Sequence, residues 1–272
     1  MPIRMISYMN PLQRASAEAW DSVEQTISEL STDDWDRPTP CTGWSVKDVI
    51  SHVGHMEGML IHHFDQPDPP PGWMPEGAPL DQVTSLGVAS RRPWPIDRVV
   101  EEIKTVAEAT RKLMARLDLD WEAETATPVG PAPLHIGVEM RTTDLVIHLC
   151  DVRTAIGRSL EDGAELAARE VAVGRAVRLT PWAWAKRVRA GEGQRLRLDL
   201  SGTGSLQTDV VMTNGKAAMV PVSDMPDGTV EGSSFAYLLA ATGRHGQVAS
   251  AGGLVARGEP ARLLLEKFRL VG

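Results

Sequence analysis

The sequence predicts an all-α N-terminal four-helix bundle followed by a small α+β domain. Three observations carry this. Apolar residues recur at steps of three and four through most of the first 160 positions, as on one face of a helix. The pattern switches to strict alternation near residue 196, as in strands. The chain has 272 residues, more than the usual single domain. The composition shift at residues 157–163 divides it into domains 1–160 and 161–272.

Pro11 opens the first helix, with Leu12, Ala15, Ala19, Val23, Ile27 and Leu30 on one face. The second begins after Gly43-Trp44, with Ser45 as N-cap and Asp48 in the place of a capping-box Glu. Val49, Val53, Met56 and Leu60 form its apolar stripe. Residues 65–95 read as one long break, because the stretch DQPDPPPGWMPEGAP removes helix donors and blocks preceding turns. A third helix follows Asp97. A fourth spans about 138–156 and stops at Gly157. Four helices with one long crossover make a bundle.

A fifth helical stretch, about 163–189, leads into the second domain. Leu196, Leu198 and Leu200 alternate, as do Leu206, Thr208 and Val210. Asn214-Gly215 signals a hairpin turn, with 218–222 as the return strand. Helices near 233–242 and 259–268 complete a domain built on a small antiparallel sheet.

The formal net charge is −8 and the pI about 5.4, so nucleic acid is a poor partner. Two cysteines, Cys41 and Cys150, exclude a disulfide framework or a Cys-rich zinc site. No apolar run reaches a membrane span and no signal-like N-terminus is evident, so a cytoplasmic protein is expected. Serine-nucleophile, phosphate-loop and dinucleotide signatures are absent.

Asp144 and His148 lie four residues apart, on one face of the fourth helix. A carboxylate and an imidazole so spaced can grip one ion. His52, on a core-facing helix, is the natural third ligand. The set suits Zn²⁺, and also Fe²⁺, Mn²⁺ or Ni²⁺, and leaves a coordination position open. The plain alternative is an ordinary Asp–His pair on a solvated face. Asp151 either orients the His148 ring or pairs with Arg153 or Arg141. His55 is a candidate neighbour of the site. Cys41 lies in a loop with no evident base, and Cys150 reads as a small buried hydrophobe.

The segment TPCTGWSVKDVISHVGHMEG resembles the start of the second helix in DinB-like proteins, specifically the mycothiol-dependent maleylpyruvate isomerase family. The segment RTTDLVIHLCDVRTAIG resembles that family's R-x-x-E-x-x-x-H-x-x-D motif. The stretches DGTVEGSSFAYLLAATGR and VARGEPARLLLEKF are similar to its sterol-carrier-like C-terminal domain. The resemblance covers nearly the whole chain. It implies a divalent metal, most simply Zn²⁺, on His52, Asp144 and His148, and mycothiol as cosubstrate. One departure is Asp144, where the isomerases usually carry Glu; the lost methylene shortens reach by about 1.5 Å, against a tolerance of ±0.2 Å in metal bonds.

The resemblance implies either cis–trans isomerisation of an unsaturated dicarboxylate such as maleylpyruvate, or transfer of the thiol to an electrophile. The partners expected are a small-molecule substrate and a low-molecular-weight thiol. An arginine is expected to hold a substrate carboxylate; Arg244 is the first candidate, with Arg257 and Arg141 behind it. Trp73 and Trp94, in the long break, are candidate apolar walls. The competing reading is a non-catalytic small-ligand-binding protein with a structural or absent metal.

Overall fold

The computed structural model describes residues 10–64, 71–72, 78–116, 118–125, 127, 130–160, 163–223 and 225–270, except for the side chains of residues 63 and 64. It divides into two units, Met1–Ala168 and Arg169–Gly272. The division falls inside the helix that begins at Leu166, rather than at 160/161.

The first unit contains α1 (Pro11–Ser28), α2 (Val46–Phe64), α3 (Leu80–Arg91), α4 (Ile96–Met114) and α5 (Leu134–Ala155). The long helices pack in a ring of pairs: α1 on α5, α5 on α2, α2 on α4 and α4 on α1. Asn10 caps α1, accepting from the Leu12 N–H at 3.0 Å. At the start of α2, Ser45 and Asp48 exchange bonds of 3.2 and 3.3 Å, the reciprocal pattern of a capping box. Gly157 ends α5 at φ +71, the left-handed geometry that glycine adopts at least cost. Almost every residue of α5 from Gly137 to Arg153 is buried.

Helix α3 corrects the sequence reading, which placed residues 65–95 in one break. The proline-rich stretch ends at Pro79, which precedes the first turn of α3. The buried face of α3 is Val83, Gly87, Val88 and Arg91. Only two of those four residues are apolar enough to register as a stripe. Gly87 is buried because α3 lies against α2: a Cβ at this position would fall 2.1 Å from His55 Cδ2.

The second unit carries most of α6 (Leu166–Ala183), a π-helical turn (Trp184–Val188), α7 (Ser234–Ala241) and α8 (Glu259–Lys267). Its strands are β3 (Arg195–Ser201), β4 (Leu206–Thr213), β5 (Lys216–Val220), β6 (Gly228–Ser233) and β7 (Leu254–Arg257); a short pair, β1 (Glu124–Thr125) and β2 (Ala132–Pro133), belongs to the first unit. The sheet order is β5-β4-β3-β6-β7. Asn214 and Gly215 both take positive φ, +52 and +71, closing the β4–β5 hairpin as expected. The sheet is mixed, not antiparallel, because β3 and β6 run parallel. Strand β6, Gly-Thr-Val-Glu-Gly-Ser, has too few apolar residues to announce itself. Leu196, Leu198 and Leu200 fill the core on one face.

Candidate metal centre

Helices α2 and α5 pack directly, and this brings His52, Asp144 and His148 together. Asp144 reaches both rings: Oδ2 lies 3.3 Å from His52 Nε2 and Oδ1 lies 3.5 Å from His148 Nε2. The ring centroids are 4.7 Å apart. His52 and His148 are buried, and the side chain of Asp144 is mostly so. An ion bound tetrahedrally at 2.0–2.1 Å separates its ligand atoms by about 3.3 Å. Each carboxylate–imidazole separation is close to one such edge, one through Oδ2 and the other through Oδ1, and the three donors lie within 4.8 Å of one another.

The surroundings orient each donor. Asp151, fully buried one turn beyond His148, places Oδ2 3.0 Å from His148 Nδ1. This turns Nε2 toward Asp144, the arrangement in which a carboxylate orients an imidazole from its far nitrogen. Of the alternatives weighed for Asp151, the His148 contact is formed. Arg153 pairs with buried Glu165 at 2.6 Å. Arg141 donates to Asp144 Oδ2 at 2.8 Å and to Glu57 Oε2 at 3.3 Å.

Electrostatics follow from burial and these contacts. Burial drives His52 down to about 4, against the pull of Asp144, so it is neutral at pH 7. Burial resists charging Asp144, but His148, Arg141 and His52 outweigh it and hold the carboxyl well below its ordinary value. Burial also opposes protonation of His148, yet Asp144 and Asp151 prevail and raise it. Metal-free, the pocket thus holds a carboxylate, a charged imidazole and a neutral one. A divalent cation bound here would have to displace the imidazole proton, as metal binding to His generally does.

Trp44 covers this pocket, its ring centroid 5.1 Å from that of His52 and 6.4 Å from that of His148. Sequence reading missed it in this role; its place immediately before the α2 cap was the available signal. A second donor cluster adjoins the first: Cys41 Sγ lies 3.1 Å from Asp151 Oδ2 and 3.9 Å from His148 Nδ1.

His55 is fully buried against α3, 3.4 Å from Arg91 Nη1. Trp94 stacks between Arg91 and Arg98. Trp73 lies outside the described residues. Arg244 belongs to the second unit, just past α7, where its Nη1 donates to the Thr242 carbonyl at 2.7 Å. Arg257, on β7, faces Glu231 at 3.6 Å.

Fold and site together define a class: a helical unit with two histidines and one carboxylate converging between its helices, continued by a separate α+β unit. Residues 16–153, about half of the chain, match the mycothiol maleylpyruvate isomerase N-terminal domain family, and the chain belongs to that family. An uncharacterised protein of Mycobacterium tuberculosis, known from strains CDC 1551 and H37Rv, is 26% identical over 169 residues, which is 62% of this chain and 80% of the relative. The crystal structures of the mycothiol-dependent maleylpyruvate isomerase and its H52A mutant superpose with a TM-score of 0.59 at 16% identity, covering 93% of this chain and 95% of the other. At that identity the likeness speaks to the fold. No described helix is long and apolar enough to cross a membrane.

Proposed function

We propose that this chain is a metal-dependent enzyme with mycothiol as cosubstrate, acting either as a cis–trans isomerase of an unsaturated dicarboxylate such as maleylpyruvate or as a thiol S-transferase. The observation that carries the reading is the meeting of His52, His148 and the Asp144 carboxylate, whose donor atoms lie within 4.8 Å of one another. The family supports mycothiol as the thiol. We read the second unit as sterol-carrier-like, with its five-stranded mixed sheet.

His52, Asp144 and His148 would hold the ion, with zinc the simplest occupant. A divalent ion with an open position supplies a thiol that stays ionised at neutral pH, where a free thiol is only a few per cent thiolate. The protein then needs no cysteine nucleophile. Asp151 keeps the His148 ring turned toward the ion, Arg141 anchors Asp144, and Trp44 shields the pocket from water. In isomerisation the thiolate sulfur adds to one alkene carbon, and the π pair moves onto the conjugated carbonyl. The resulting single bond rotates, and elimination breaks the C–S bond and returns the thiolate. In transfer the C–S bond persists, and the carbon releases a leaving group or takes up a proton. We assign Arg244 the holding of a substrate carboxylate, which matters most for the dicarboxylate reaction.

The test is metal analysis followed by product analysis. Purified protein reconstituted with zinc should hold near one ion per chain, and Asp144→Ala with His148→Ala should reduce this below about 0.2. Incubation with mycothiol and candidate acceptors then separates the chemistries by mass. An adduct marks a transferase; a geometric isomer of unchanged mass marks an isomerase. Wild-type protein that holds no metal and turns nothing over would favour the binding-protein alternative.

A further inference from the structure

The short loop before α2 is more rigidly built than a connection requires. Trp44 N–H donates to the Cys41 carbonyl at 3.0 Å and Gly43 has φ +78, which together make residues 41–44 a type II turn. The Thr39 N–H and hydroxyl both donate to the Trp44 carbonyl, at 3.0 and 2.9 Å. Arg92, already on the Asp48 carboxylate, donates to the Gly43 carbonyl at 3.3 Å. Both ends of this turn reach the metal centre. Trp44 lies on the imidazoles, and Cys41 delivers its thiol to the Asp151 carboxylate.

The Asp151 contact is informative. One oxygen, Oδ2, lies 3.1 Å from Cys41 Sγ and 3.0 Å from His148 Nδ1. Asp151 is fully buried and Cys41 partly exposed. Two donors on one carboxylate oxygen form a chain: S–H to carboxylate, carboxylate from N–H. The thiol thus supplies a donor to a buried carboxylate oxygen, a group that needs its partners. We propose that Cys41 is a positioning residue for metal binding: its thiol fixes the Asp151 carboxylate and, through it, the plane and tautomer of His148. This rests on the reading of His52, Asp144 and His148 as a metal site. The thiol is then neither nucleophile nor ligand.

The experiment compares Cys41→Ala, Cys41→Ser, Asp151→Ala and the double variant, with Asp151→Asn in reserve should the alanine variant not fold. Zinc affinity is read by competition with a chromophoric chelator. Cys41→Ala should lose about 10-fold and Asp151→Ala about 10- to 100-fold, the range for groups that orient a metal ligand. The double variant should be no worse than Asp151→Ala alone, since the thiol acts only through that carboxylate. Cys41→Ser, whose hydroxyl still donates, should recover most of the loss. A second readout needs no metal. In metal-free protein the alkylation of Cys41 by iodoacetamide, followed on its peptide by mass spectrometry, should quicken severalfold when Asp151 is removed.

A silent Cys41→Ala, additive losses in the double variant, or an unchanged alkylation rate overturns the proposal. So does a thiolate-to-cobalt charge-transfer band in the Co²⁺-loaded wild type that Cys41→Ser abolishes, because Cys41 would then be a ligand itself. Zinc-loaded wild type with a silent Cys41→Ala sinks this inference alone. Wild type that takes up no zinc sinks the metal reading and this inference with it.

Discussion

Replacing Arg141 with Met should destabilise the metal-free first unit by about 3–5 kcal/mol, the usual cost of removing one partner from a buried ion pair. The guanidinium is buried and serves two carboxylates: Asp144 at 2.8 Å and Glu57 at 3.3 Å, with a longer bond to the Val53 carbonyl at 3.5 Å. Met fills similar volume, so little of the loss comes from packing. Glu57 is 1% exposed, and its other oxygen takes the Thr110 hydroxyl at 2.6 Å. Without Arg141 its charge has no counterion among these contacts. Asp144 retains His148 and is the lesser problem. The effect should therefore split. Adding Glu57→Gln to Arg141→Met should recover more than half of the loss, because it removes the stranded charge. Zinc should rescue less, since it neutralises Asp144 and leaves Glu57 as it was. For a unit of this size, 3–5 kcal/mol is roughly a 6–20 °C drop in Tm. The assay is urea and thermal unfolding with and without zinc, followed by far-UV circular dichroism, for Arg141→Met and the double variant. An Arg141→Met protein within about 1 kcal/mol of wild type, or a Glu57→Gln addition that makes matters worse, would refute the charge assignment.

Gly87→Ala should cost about 1–3 kcal/mol by overpacking, because the new methyl would sit 2.1 Å from a His55 ring that Arg91 and α3 hold in place; faster amide exchange across residues 80–91 is the readout. Zinc titration should change tryptophan emission through Trp44, the indole lying on both ligand rings, and Trp44→Phe should abolish the change although seven of the eight tryptophans remain. In the second unit Asp209 is fully buried. Burial pushes its carboxyl up, but hydrogen bonds from Arg197, the Ser223 N–H and hydroxyl, and Arg195 prevail and bring it to about 2. A depressed carboxyl stabilises the fold above its unfolded pKa and ceases to do so as pH falls through the folded value. The contribution, about 2 kcal/mol, should vanish between about pH 4 and pH 2. Urea unfolding across that range should show the loss in wild type and a flatter profile in Asp209→Asn.

What the sequence disclosed and what it hid differ by the kind of signal involved. Asp144 and His148 were legible because an i,i+4 spacing is enforced by the helix itself, whatever surrounds it. His52 was legible because Val49, Val53 and Met56 mark its helix as core-facing. Helix α3 was hidden because helix-reading counts side-chain apolarity. Two of its four buried positions are a glycine, placed for close approach, and an arginine neutralised by Glu102 at 2.6 and 2.7 Å. Strand β6 was hidden for a related reason: two of its six residues are glycine, and its parallel partner β3 is reached only after an intervening hairpin. The contacts that tune the site lay furthest from view. Cys41 and Asp151 are 110 residues apart, and Arg141 and Glu57 are 84 apart. No local pattern records a pairing between two helices. Candidate ligand positions are therefore written in helical periodicity, whereas the groups that contact them are written in the packing. A candidate metal site of this kind is easier to locate from sequence than to grade.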